Sequence, residues 1–174
     1  MEMPILPFPH RITLEHEGAE AIVAKAGGGT VDFTDLAITD SGSSISLGRV
    51  GWKPRTGDLN SLHAGYTAGP AQHAITCARL GLDDKWAQLA VQQEGTDMAA
   101  LLGGDDRERK QAACIALIQR HLPAMTDYLN QPAVQTKVQA LADYLERHDG
   151  RRIDWSSLAE IIDWGEFPPL PSLV

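Results

Sequence analysis

The hydrophobic pattern divides the chain into a β-prone first part and a helical second part. Arg11-Ile-Thr-Leu-Glu-His16 alternates apolar and polar positions, Ala21-Ile-Val-Ala-Lys25 is a short apolar run, and Gly27-Gly-Gly29 leads into Thr30-Val-Asp-Phe33. Alternation with period two, then glycines between two β-prone runs, predicts β structure over 11–33 with a hairpin turn at the glycines. Three prolines within 1–10 predict an extended arm before it. The stretch 36–70 is rich in Gly, Ser, Asp and Pro and reads as a long loop.

After Pro70 the period becomes helical. Pro70 suits the first turn of a helix over about 71–81. A second helix starts at Asp83-Asp84, acids that suit a helix N-terminus, and runs to about 102, where Gly103-Gly104 stops it. A third spans about 106–121 and closes at Pro123, with a shorter piece over 124–130. A fourth covers 132–148, with Val134, Val138, Leu141 and Leu145 on one stripe. A last helix falls at about 155–163, before the Pro-rich tail 164–174. The expectation is one mostly α domain over 1–174: arm and β-hairpin 1–35, loop 36–70, helical core 71–163, tail 164–174.

Composition fits that reading. The 174 residues are 43% hydrophobic and 22% charged, enough for a real core. The net charge of −8 disfavours polymeric nucleic acid as a partner, which selects for a basic face. Cys77 and Cys114 lack any metal spacing and read as buried, reduced thiols. With no signal-like segment and no run of 18 apolar residues, the expected compartment is the cytoplasm.

Candidate chemistry sits on the second helix. Ala87, Ala90 and Val91 define a stripe that continues through Glu94, Asp97 and Met98, which predicts two carboxylates facing inward. Buried like charges need a cation, a metal or a shared proton. Their alternative is solvent at the mouth of a groove. His73, near the predicted helix start, is a candidate ligand or a satisfied structural histidine.

Val31-Asp-Phe33, Ile45-Ser-Leu-Gly-Arg49, Trp52, Arg55-Thr56-Gly57, Tyr66-Thr67 and Ala71-Gln-His73-Ala74-Ile75 follow in an order that resembles the HD-domain phosphohydrolases. The likeness is to short phage and prophage forms related to 5′-deoxynucleotidases, and it spans about residues 21–150. It implies an HD-domain-like helical bundle with a small N-terminal β-hairpin, and a divalent metal (Co, Mn or Mg) that activates water against a phosphate ester. By position, His73 and Glu94 would be metal ligands. Glu94 and Asp97 would be the catalytic acids. Arg49, Trp52, Lys53 and Arg55 would hold a nucleotide or other phosphorylated small molecule.

Three ligand positions depart from that pattern. The His-Asp pair falls on Gln93-Glu94, and the late Asp falls on Gln139, with Asp143 the nearest acid. Gln is a poor substitute for a nitrogen ligand, and Glu displaces its oxygen by about a methylene. The resemblance therefore implies either an HD-fold nucleotide-handling protein that hydrolyses its ligand, or a catalytically inactive HD-fold protein that sequesters a nucleotide or binds a protein partner. A homodimer is a further expectation, as HD relatives often pair.

Overall fold

The computed structural model describes residues 10–37, 47–148, 153, 154, 156, 157, 160 and 165–174. Its elements are α1 (His10–Ala26), β1 (Thr30–Ala37), β2 (Leu47–Lys53), α2 (Leu59–Leu80), α3 (Lys85–Leu102), α4 (Arg107–Leu129), α5 (Pro132–Arg147) and β3 (Ile153–Asp154). The fold is mostly α with a small antiparallel hairpin near the N-terminus, as the sequence predicts. The predicted arm over 1–9 and most of the predicted helix over 155–163 lie outside the described residues.

The segment 11–33 is corrected. Residues 10–26 form a helix, not strands. The alternation over Arg11–His16 misleads because α1 is enclosed along almost its whole length. Ile12, Leu14, Ala19, Ile22 and Val23 are buried, and so are Glu15, His16, Glu17 and Glu20. A helix wrapped on all sides shows no polar face from which its period can be read. The three glycines end this helix: Gly27 N–H bonds back to the Val23 carbonyl and Gly29 N–H to that of Ala24, with Gly28 at φ 75°.

The hairpin lies one element later. β1 pairs antiparallel with β2, with Val31 opposite Trp52 and Phe33 opposite Gly51, so Asp32 occupies a bulge. The two-residue β3 adds to the other side of β1, giving the order β2-β1-β3.

The loop predicted for 36–70 is also corrected, because α2 begins at Leu59. Asp58 caps it by accepting from the Ser61 backbone N–H at 3.0 Å. Pro70 is internal to α2, and Pro123 is internal to an α4 that continues to Leu129. An interior proline costs roughly 3 kcal/mol. In α4 that cost is outweighed by burial of Ile118, Met125, Tyr128 and Leu129, each worth roughly 1.5–3 kcal/mol. α3 and α5 lie where the sequence places them, and the α5 stripe of Val134, Val138, Leu141 and Leu145 is wholly buried.

α1 is the hub, packed on α2, α5 and the hairpin, while α3 and α4 pack on α2 and on each other. The main core joins Leu14, Ile22 and Val23 of α1 to Ala64, Ala68 and Ala71 of α2, Met125 and Leu129 of α4, and Leu141 and Leu145 of α5. Cys77 and Cys114 are free and buried. No helix among the described residues is long and apolar enough to cross a membrane.

Candidate metal centre

Small residues on α2 let its neighbours approach closely. The His16 ring lies against Gly69 so tightly that a Cβ there would fall within its van der Waals envelope, and the Trp52 ring lies against Gly65 in the same way. Gly69 is therefore what allows α1 to set His16 between α2 and α3. Gly69→Ala should displace the His16 ring, cost about 1–3 kcal/mol as overpacking does, and weaken any ion held by that ring. Urea unfolding together with metal titration measures both effects.

His16 and Glu20 are one turn apart on α1, so their side chains share a face. His16 Nε2 lies 3.0 Å from Glu20 Oε1 and 3.4 Å from Glu94 Oε1, which reaches in from α3. All three residues are buried, and one donor atom from each lies within 4.8 Å of the other two. Among the described residues these form the group able to hold a metal ion. Ligand bonds of ~2.0–2.2 Å place donors around one ion roughly 3–3.5 Å apart, which both His16 spacings match.

The electrostatics favour a cation here. Burial would lower His16, but the charge and hydrogen bond of Glu20, the hydrogen bond of Glu94 and the charge of Glu17 outweigh it and hold the imidazole well above its usual value. Burial and then the Glu94 charge push Glu20 up to about 7, against the opposing pull of His16. Two buried carboxylates thus compete for one imidazolium. A divalent ion beside a neutral His16 would balance both acids, so the donor set fits a metal.

His73, the sequence's candidate ligand, sits beside this group rather than within it. Its Nδ1 is 3.3 Å from His16 Nδ1, on the ring edge away from the carboxylates, with centroids 4.7 Å apart. Burial, then the His16 charge, hold His73 well below its usual value. Glu94 faces inward as the α3 stripe predicts. Asp97 does not: it is exposed, which corrects the expectation of two inward acids. One residue short of a full turn from Glu94, it lies off the buried stripe of Ala87, Val91, Glu94 and Met98. Its charge still reaches the centre, where it adds to that of Glu94 in raising Glu20. Gln93 is exposed.

Trp52 is half-buried and meets Tyr66 edge-on at 5.2 Å. Burial, then the charges of Glu94, Asp97 and Glu20, push the Tyr66 hydroxyl up to about 12. Lys53 and Arg55 are exposed, and Lys53 pairs loosely with Asp32 at 4.0 Å. Arg49 is on β2 opposite Asp35, and its side chain lies outside the described residues. Gln139 and Asp143 on α5 bind Arg11, at 2.5 and 2.7 Å, and take no part in the metal group.

Sequence reasoning missed His16, Glu17 and Glu20. Their signal was a histidine and a carboxylate at i and i+4, which the β assignment concealed, because on a strand both would still share a face but stand about 13 Å apart. No protein-family model and no curated protein matches the chain.

Proposed function

We propose that this protein is a metal-dependent hydrolase whose centre is His16, Glu20 and Glu94. The observation that carries the reading is the buried donor group on α1 and α3. Its local sequence is His16-Glu17-x-x-Glu20, which has the form of the helix-borne His-Glu-x-x-His metallopeptidase site with Glu in place of the second His. In such sites two ligands one turn apart hold the ion, a third arrives from another element, and the intervening Glu is the general base. The favoured substrate is therefore a peptide bond.

A bound divalent ion would polarise the scissile carbonyl and make water more acidic. Glu17 is buried next to His16, and its charge acts on that ring. It takes the proton of the attacking water as oxygen bonds to the carbonyl carbon. It returns a proton to the amine nitrogen as the C–N bond breaks. With one imidazole and two carboxylates, the donor set suits Mn²⁺, Co²⁺ or Mg²⁺ better than a nitrogen-rich zinc site would.

A second reading follows the HD resemblance: a nucleotide phosphate held near Trp52, Lys53 and Arg55, either hydrolysed or only bound. It is favoured by the Trp52–Tyr66 pair, in which half-buried Trp52 offers a ring for a base to stack on.

Calorimetry with Mn²⁺ and Co²⁺, with turnover of a peptide library and a deoxynucleotide panel, tests both. We expect ion binding in wild type and in Glu17→Gln, with peptide cleavage reduced about 100-fold or more in the variant, as loss of a general base implies. Phosphate release without peptide cleavage would move the assignment to the nucleotide reading. Absence of ion binding would remove the hydrolase proposal.

A further inference from the structure

The contact between His16 and His73 carries a second conclusion, which rests on the metal reading above. Two imidazole nitrogens 3.3 Å apart share one proton, so one Nδ1 donates and the other accepts. A neutral imidazole has a single N–H. For His16 Nε2 to present a lone pair toward Glu20 and Glu94, its proton must sit on Nδ1, where the hydrogen-bond partner is His73 Nδ1.

Both rings are buried, and Gly69 backs the His16 ring, so neither ring can turn without breaking packing. The arrangement matches a general property of metal-bound histidines, whose second nitrogen is bonded to an acceptor that fixes tautomer and orientation. Here the acceptor is an imidazole supplied from α2 instead of the more common carboxylate or carbonyl. We propose that His73 is a positioning residue: it holds His16 as the Nδ1–H tautomer with Nε2 free to ligate, and is not itself a ligand.

The test uses Zn²⁺, which is diamagnetic, on the purified chain. Imidazole ¹H–¹⁵N spectra report which nitrogen carries the proton and which binds metal. Wild type should show His16 protonated at Nδ1 and metal-bound at Nε2, with His73 not metal-bound. His73→Phe keeps a ring of similar size but no acceptor, and should bind Zn²⁺ about 10–100-fold more weakly, the usual effect of losing an outer partner. His73→Asn places an amide oxygen near the lost Nδ1 and should recover most of that affinity.

Unchanged affinity and an unchanged His16 tautomer in His73→Phe would overturn the inference. So would a metal-bound signal from His73, which would make it a ligand and leave the metal reading standing. Wild type that binds no ion would bring down both proposals together. Should His73→Phe fail to fold, the wild-type spectrum and His73→Asn still decide between positioning residue and ligand.

Discussion

Glu20→His should change which metal the centre prefers. The substitution would give two imidazoles one turn apart and one carboxylate from α3, the donor set of many catalytic zinc sites. Affinity for Zn²⁺ should rise by at least about tenfold while affinity for Mn²⁺ falls, since nitrogen donors favour zinc and carboxylates favour harder ions. Removing a carboxylate also relieves the repulsion that Glu94 exerts on Glu20 across a buried space. Competition calorimetry with the two ions reads the change. An unchanged preference would show that Glu20 does not touch the ion. Glu94→Ala separates the roles further: it removes the third donor, and both affinities should fall by about 100-fold or more.

Glu15→Ala should be among the most destabilising single changes in the chain, at about 3–5 kcal/mol. Glu15 is fully buried on the other face of α1 from Glu20. It accepts from Arg11 at 2.7 Å, from Thr76 at 2.5 Å, from Gln72 at 3.1 Å and from Arg79. Gln72 in turn bonds Gln135 on α5, so one carboxylate ties three helices together. Its removal leaves Gln72 and Thr76 short of an acceptor and Arg11 partly desolvated.

The same group sets part of the acid sensitivity. Burial would raise Glu15, but the hydrogen bonds from Arg79, Thr76 and Arg11 outweigh it and hold the carboxyl below its ordinary value of 4.5. A carboxyl depressed on folding stabilises above that value, and the contribution is lost as pH falls through the folded-state pKa. Urea midpoints from pH 7 down to 3 should therefore fall less steeply below about 4.5 in Glu15→Ala than in wild type. Equal slopes would mean that the arginines do not stabilise the charged form.

The sequence was most legible where the interior is apolar. Val134, Val138, Leu141 and Leu145 repeat at helical spacing because α5 buries only hydrocarbon on that side, and the structure buries all four. α3 was legible for the same reason, and its stripe led correctly to Glu94. Asp97 was misplaced because it borders that stripe without belonging to it. α1 was illegible because its inward residues include Glu15, His16, Glu17 and Glu20, and partners of Glu15 and His16 lie on α2 and α3, 57 to 78 positions away. No local window contains those partners. The glycines at 27–29 showed a similar ambiguity, since a helix terminus and a hairpin turn both use positive φ.

The enclosure of α1 bears on the order in which the protein is assembled. Arg11 and His16 pair locally with Glu15 and Glu20, but the other groups that hold the α1 side chains come much later in the chain. Arg79 is 64 positions later, Glu94 is 78 later than His16, and Gln139 is 128 later than Arg11. Until those partners arrive, water solvates the α1 side chains better than a half-built core can. A chain with such distant dependencies closes its loops before it gains from them and folds more slowly than a bundle stabilised by neighbouring helices. The α3–α4 contacts are local by comparison, whereas the buried His16–Glu20–Glu94 group is complete only once α1 and α3 have come together.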